Sequence, residues 1–468
     1  MRRPNVLILT ALLLLPLLAF ADTRTIKQLS FVHRHGARDE PLVIDGNLVW
    51  DYAQLTPNGE KMMANLGKLL RRVYGTFIPS FSPDEYDLLS GDSDRCIQSA
   101  YGVAQSFFNE TSNFLPFVKY GPVDSDWLME FNYNFPNIIA RSEWYYSYQN
   151  NDTLARTMLS EDDILALASE FGDWCSKTPM LCALFAVDAI QCRISNTNET
   201  SKQLRDIFQE KLLPIQYGSC KHLYAFHPTN PYAVTGAPGY DLAAKMLNDA
   251  QGGNKKVYQY SAHDSTVLGL LNTLGGIQLD DMDEKWFPRF GAVLTLTTYT
   301  DGNISFGYAE PMQEENSTLD YSLDIPPVSV RCQTASGLVY LSSECPVEDV
   351  WRYVNNSKPT VSDRYCYLLP EDRCDVMDTV PSSSCQYYRK HCPKEACGPN
   401  AVLDAHQNYI CASFAKKEKI SHYALSATLS AVIGAAVGVL LGILIAFFLN
   451  KLEEKEDRRR LVSQLDNA

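Results

Sequence analysis

The sequence predicts an α/β domain interrupted by a mostly helical insertion and carried on a single membrane-crossing helix. Three observations predict it. Short β-type runs alternate with amphipathic helical runs on both sides of a long aromatic, polar stretch. That stretch, about residues 120–245, lacks the alternation and holds Trp127, Trp144 and Trp174. Near the end of the chain, Ala424 to Leu449 contains no charged residue.

The N-terminus places Arg2 and Arg3 before an apolar run from Val6 to Phe20, and Ala19-Phe20-Ala21 follows with small residues at cleavage spacing. Residues 1–21 therefore read as a secretory signal peptide, with Asp22 the first mature residue. At the other end, the uncharged run at ~1.5 Å per residue exceeds the ~30 Å hydrocarbon thickness. Lys451, Lys455 and Arg458-Arg459-Arg460 follow it and place residues 450–468 in the cytoplasm. The expected topology is a single-pass type I membrane protein spanning at 423–449, with the large part lumenal or extracellular. Endosome, lysosome and plasma membrane are the candidate residences.

The chain carries a net charge of −14. The tail is charge-balanced and the leader holds only arginines, so the acidity belongs to the ectodomain. Such a surface excludes nucleic acid and anionic membrane surfaces as partners. All 13 cysteines lie between Cys96 and Cys411, with no CxxC pair. Behind a signal peptide they read as a disulfide set, and the odd number leaves one thiol over. Sequons at Asn109, Asn151, Asn198, Asn303, Asn316 and Asn355 agree with the secretory route.

Along the ectodomain, residues 26–33 predict a strand, and Glu60 to Tyr74 a helix opened by the turn Thr56-Pro57-Asn58-Gly59. Asp87 to Ser90 predicts a short strand, with a helix from about Arg95 to Phe108. Lys256 to Tyr260 predicts a strand and Thr266 to Leu274 a helix. "AVLTLTTYT" and "NISFGYAE" predict a strand pair around Asp301-Gly302. Residues 355–422, cysteine-dense and poor in apolar runs, read as a membrane-proximal module.

Three corners share one form, a strand followed by a polar turn: Arg34-His35-Gly36-Ala37-Arg38, Asp92-Ser93-Asp94-Arg95 and Ser261-Ala262-His263-Asp264. In open α/β sheets ligands bind beyond the carboxyl ends of strands, so distant corners can converge there. Arg34, Arg38 and Arg95 would supply guanidinium forks that match phosphate oxygens and keep their charge. An imidazole such as His35 can act as a nucleophile, and a carboxylic acid such as Asp264 can protonate a departing alkoxide. No metal is required by that chemistry. Asp39, Glu40 and Asp92 offer the arginines a purely structural alternative as ion-pair partners. His33 reads as a structural histidine within its strand. Cys96 has no arginine six residues on, and the run Gly-Asn-His-Asp does not occur, which argues against cysteine and binuclear-metal phosphatases.

The RHGAR stretch, Asp94-Arg95 and the Ser-Ala-His-Asp corner together resemble the histidine acid phosphatases of the phosphoglycerate-mutase-like superfamily. The resemblance extends over roughly residues 26–350, and Cys345-Pro346-Val347-Glu348 resembles the end of the family domain. His-Asp here, rather than His-Ala-Glu, is closer to the lysosomal and prostatic type than to the phytases. It implies that His35 takes the phosphoryl group as phosphohistidine and that Asp264 protonates the leaving group. Arg34, Arg38, Arg95 and His263 would grip the phosphate. It also implies a phosphoglycerate-mutase-like α/β domain over 22–350 with the 120–245 insertion as cap, no cofactor, small phosphomonoester substrates, and often a homodimer. Residues 351–422 fall outside the pattern. So does Cys96, where relatives carry a hydroxyl residue, which makes it the candidate unpaired thiol. A receptor or adhesion protein on an inactive copy of the scaffold is the alternative.

Overall fold

The computed structural model describes residues 24–361 except 45–46, 50–52, 110–116, 122–125, 131–150, 197–199, 225, 227, 229–230, 277–286 and 313–319, together with 364, 366–367, 392, 401–403 and 409–411. The signal peptide, the 423–449 helix, the tail and most of the 351–422 region lie outside the described residues. Among the described residues, no helix is long and apolar enough to cross a membrane. The chain divides into two compact units, Met1–Leu369 and Pro370–Ala468. Within the second, Ala401–Leu403 pairs antiparallel with Tyr409–Cys411.

The first unit is built on a seven-stranded mixed sheet. In chain order its strands are β1 (Ile26–Arg34), β2 (Tyr86–Ser90), β3 (Lys119–Tyr120), β4 (Val257–Ala262), β5 (Val293–Tyr299), β6 (Asn303–Ala309) and β7 (Glu344–Pro346). They lie side by side as β7-β6-β5-β1-β4-β2-β3. The half from β1 to β3 is parallel. The other half, entered from β1 through β5, is antiparallel. The β5–β6 connection is the expected hairpin, and Gly302 supplies its left-handed residue at φ 86°.

Both faces of this sheet are covered, so β1 from Gln28 to Arg34 and all of β4 are buried, the polar Ser30, His33, Gln259 and Ser261 included. Helices α1 (Pro57–Tyr74) and α2 (Asp94–Phe108) bury Met63, Leu66, Leu70, Val103 and Phe107 against Leu29, Phe31 and Leu88. Helices α8 (Tyr240–Gly252), α9 (Asp264–Thr273) and α10 (Val347–Asn355) cover Val32, Tyr260 and Leu294 on the opposite face. The alternation Phe31 to one face and Val32 to the other is the period of two that a strand imposes.

Helix α1 begins three residues earlier than its apolar pattern. Thr56 is its N-cap, accepting a hydrogen bond from the Gly59 amide at 3.1 Å, and Pro57 occupies the first turn. The Thr56 hydroxyl also donates to the Ala37 carbonyl at 3.1 Å, which ties the helix start to the loop after β1. Gly36 is required there for close approach. A Cβ on it would stand 2.5 Å from the Gly59 carbonyl oxygen, and its φ is not in the left-handed region. Backbone crowding is therefore the constraint at Gly36.

Between β3 and β4 the described chain is mostly helical. Helices α3 (Asp152–Met158), α4 (Glu161–Phe171), α5 (Pro179–Ser195), α6 (Lys202–Ile207) and α7 (Leu213–Tyr224) share a core of their own, with Leu167, Ala183, Ile190 and Leu212 buried in it. A five-residue π-helix, Phe208–Leu212, joins α6 to α7. The Cys175–Cys182 disulfide staples this layer, and Cys332–Cys345 closes the sheet's far edge. The expectation of one leftover thiol is corrected. Among the described residues Cys96, Cys192 and Cys220 are all free and buried.

Phe31 is fully buried and meets the edge of Phe107 at 6.3 Å between ring centroids. Phe31→Ala is expected to lower stability by about 3–5 kcal/mol through the cavity it leaves, measured by urea denaturation. A loss below ~1 kcal/mol would show that this face is not the close-packed core described here.

Candidate active site

Three parallel strands end side by side. Arg34 of β1 lies opposite Ala262 of β4, and Ser90 of β2 opposite Ser261. Backbone bonds continue past the ladder: the His35 amide donates to the Ala262 carbonyl at 2.9 Å and the Gly91 amide to the Ser261 carbonyl at 2.9 Å. All three polar corners are thereby held at one edge of the sheet.

His35 is at their centre. Its Nδ1 lies 2.9 Å from the Gly36 carbonyl, which can only accept, so Nδ1 carries the proton and Nε2 keeps its lone pair. Arg95 Nε donates toward that lone pair at 3.4 Å. Burial pushes the His35 pKa well below its ordinary value, and Arg95, Arg34, His263 and Arg38 push it the same way. The ring is therefore neutral among four cationic groups. It also meets the His263 ring edge-on at 5.4 Å and the Phe290 ring at 5.5 Å.

The arginines are deeply placed. Arg34 is 1 % exposed and Arg38 5 %. Phe290 lies under both, 4.0 Å from the Arg34 guanidinium carbon and 5.5 Å from that of Arg38. Arg34 donates to the Pro288 carbonyl at 2.7 Å and to Gln191 Oε1 at 3.1 Å, and pairs with Asp264 at 2.7 Å. Arg38 forms a bidentate pair with Asp188 at 2.7 and 2.8 Å. Neither partner is among the carboxylates that sequence proximity suggested. Glu40 instead pairs with Arg193.

His263 and Asp264 open α9. Burial alone would raise the Asp264 pKa, but Arg34, His263, the Ser265 amide and Arg38 outweigh it and hold the carboxyl below its usual value. For His263, burial pulls the pKa down, while the Cys96 sulfur and the Glu130 carboxylate pull it up more strongly, to about 10. Glu130 accepts from His263 Nε2 at 2.9 Å, and Cys96 Sγ stands 3.6 Å from the same nitrogen. His33, by contrast, stays within β1, where burial lowers its pKa to about 4 and Gln259 meets its Nε2 at 2.9 Å. Among the described residues, no group of three or more His, Cys, Asp or Glu side chains could hold a metal ion.

Arg34, His35, Arg38, Arg95, His263 and Asp264 thus come together. Sequence reasoning missed Asp188, Gln191, Phe290 and Glu130. Asp188, Gln191 and Cys192 lie at i, i+3 and i+4 in the largely apolar α5, a polar stripe that was a readable signal. Glu130 gave none, because it sits in a turn without periodicity.

The family model of the histidine phosphatase superfamily, branch 2, matches residues 42–321, more than half of the chain. The chain belongs to the histidine phosphatase superfamily. The matched range takes in Arg95, His263 and Asp264 and begins after the Arg34–Arg38 corner, which completes this superfamily member's site from outside it. Mouse (Mus musculus) testicular acid phosphatase is 26% identical over 279 residues, 53% of this chain; the chain spans 62% of that relative's length. The phytase from Citrobacter braakii superposes with a TM-score of 0.50 at 12% identity, covering 71% of this chain and 98% of that one. The phytase from Hafnia alvei in complex with tartrate gives 0.50 at 14% identity, covering 74% and 99%. At such identities the likeness to the phytases is one of fold.

The lowered pKa of Asp264 links the site to stability. Its pairing with Arg34 stabilises the folded histidine phosphatase fully above the ordinary value near ~3.9, and that contribution is lost as pH falls through the lower folded value. Urea unfolding of wild type and Asp264→Asn between pH 7 and 2.5 is expected to show the wild type ahead at neutral pH, by a margin that shrinks below about pH 4. A margin independent of pH would contradict the ion pair.

Proposed function

We propose that this chain is a metal-independent acid phosphatase that hydrolyses phosphomonoesters through a phosphohistidine at His35. The observation that carries the reading is the neutral imidazole, with an unprotonated Nε2, surrounded by Arg34, Arg38, Arg95 and His263. A lone pair facing a cluster of cations suits attack on an anionic phosphorus centre, where positive charge stabilises the equatorial oxygens.

In the first step Nε2 bonds to phosphorus, the ester P–O bond breaks, and the proton of Asp264 passes to the departing alkoxide. In the second, water attacks phosphorus, the P–Nε2 bond breaks, the Asp264 carboxylate takes the water's proton, and His35 and inorganic phosphate are released. Asp264 must therefore be protonated when phosphate is bound. In the free protein Arg34 holds it as a carboxylate. A phosphate dianion carries more charge and competes for Arg34. Released beside that dianion, Asp264 rises in pKa because like charges disfavour its ionisation. Substrate binding thereby converts an ion-pair partner into an acid.

The same reading includes a secreted, membrane-anchored protein with residues 1–21 as leader, 423–449 as span and 450–468 as tail. The catalytic domain, residues 22–350 with the 120–245 insertion as its cap, would be lumenal or extracellular in an endosome, a lysosome or the plasma membrane, and a homodimer fits the family. The sequence features at both termini support it. The pairing of Arg38 with Asp188 favours the second reading, an inactive receptor on this scaffold, because it engages one phosphate fork within the chain.

One assay separates them. Release of p-nitrophenol at pH 5 with EDTA present, together with acid-labile radiolabel on the protein, is expected for wild type and absent in His35→Ala. An inert, folded wild type favours the receptor. Asp264→Asn is expected to lower kcat by about 10²–10⁴ for alkyl phosphates and far less for p-nitrophenyl phosphate, whose leaving group needs no proton. Wild-type kcat for alkyl esters should fall as pH rises through neutrality. A flat profile from pH 5 to 8 would count against Asp264 as the donor.

A further inference from the structure

Glu130 has no role in the chemistry above, yet it is 3 % exposed and its carboxylate is 2.9 Å from His263 Nε2. The surroundings are built to hold it there. Asp126 Oδ1 accepts from the Leu128 and Met129 amides at 2.9 and 3.0 Å, and the Glu130 amide returns to the Asp126 carbonyl at 3.0 Å. Thr266, in the first turn of α9, donates to the Met129 carbonyl at 2.7 Å, which docks this turn on the helix that begins beside His263. On the other side Gly91 leaves the space open: a Cβ there would stand 2.2 Å from Glu130 Oε1. Three independent segments, the end of β2, the 126–130 turn and α9, converge to place one buried carboxylate on one imidazole.

We infer that Glu130 is the positioning residue of His263, holding its ring edge-on to His35 as a permanent imidazolium that completes the oxyanion-binding cluster. This rests on the phosphatase reading of the site. The charge argument is direct. Burial disfavours the charged form of His263, and Arg95, Arg34 and Arg38 stand with it around His35. A neutral ring there would contribute one N–H to a bound phosphate and no charge. The groups facing it are Glu130 from the 126–130 turn, Cys96 from α2, His35 from the corner after β1, with Arg95 on the His35 ring, and Asp264 from its own helix. Asp126 lies near both Glu130 and Asp92. Glu130 is the carboxylate bonded to the ring, while Asp264 is engaged by Arg34.

The test uses full-length protein in detergent, with inorganic vanadate as the probe. Its inhibition constant is compared for wild type, Glu130→Gln, His263→Ala and the double variant at pH 5 and pH 7.5. Gln keeps the acceptor oxygen and removes the charge. Relative to wild type at the same pH, Glu130→Gln is expected to bind vanadate within about twofold at pH 5 and roughly tenfold more weakly at pH 7.5. The reason is that an imidazole near ~6.5 is then about one-tenth protonated. KM for ester should rise in parallel while the radiolabelled phosphoenzyme still forms. In the His263→Ala background, Glu130→Gln should change vanadate binding by less than twofold.

An equal loss at both pH values, a loss that persists without His263, or tighter binding in Glu130→Gln overturns the inference. The last result would mark Glu130 as a competitor for the ring. Should the variant not fold, the His263 ring resonance of wild type, assigned by its absence in His263→Ala, decides instead. No titration between pH 5 and 8 supports the inference, and a midpoint near ~6.5 overturns it. A wild type that neither turns over ester nor binds vanadate overturns the phosphatase reading and this inference together. An active wild type whose ratio to Glu130→Gln is independent of pH overturns this inference alone.

Discussion

The parallel pairing of β1 with β4 is the constraint on which the site depends. It sets Arg34 opposite Ala262, and with it places His35 beside His263. Side chains alternate across a strand with a period of two, so a one-residue slip would exchange the faces of Phe31 and Val32 and turn the end of the strand over. Register is therefore fixed by the core, far from the chemistry. The two buried faces, Leu29 and Phe31 toward α1 and α2, Val32 toward α8 and α9, penalise any other alignment.

On that frame the electrostatics are arranged by pairs. His35 is buried among cations and is neutral for that reason, and the Gly36 carbonyl selects which nitrogen keeps the lone pair. Arg34 and Arg38 are buried and each faces a carboxylate, Asp264 and Asp188. Isolated buried charges of that kind would be costly, and paired they are tolerated. The pairs also define what a ligand must displace. An anion entering this cluster competes with carboxylates already in place, which favours a dianion over a monoanion.

The helical layer contributes more than a cover. Asp188, Gln191 and Cys192 lie along one stripe of α5 and reach Arg38 and Arg34, so the insertion and the sheet share one set of hydrogen bonds. The free thiols follow the same pattern. Cys96 is 3.6 Å from His263 and Cys192 3.4 Å from Arg38, each serving as a small buried neighbour of a charged group.

The sequence by itself determined the α/β alternation, the strand–helix pairs on either side of the insertion, the hairpin at Asp301-Gly302, and the three polar corners that follow strands. These are legible because apolar periodicity and turn residues are local properties, and because the corners follow strands. Only the tertiary structure decided that half of the sheet is antiparallel, that Arg34 holds Asp264 and Arg38 holds Asp188, that Cys96, Cys192 and Cys220 are unpaired, and that Glu130 belongs with His263. Each of those is a contact between segments distant along the chain, and which segments meet is set by burial and register across the whole fold, which no local window of residues encodes.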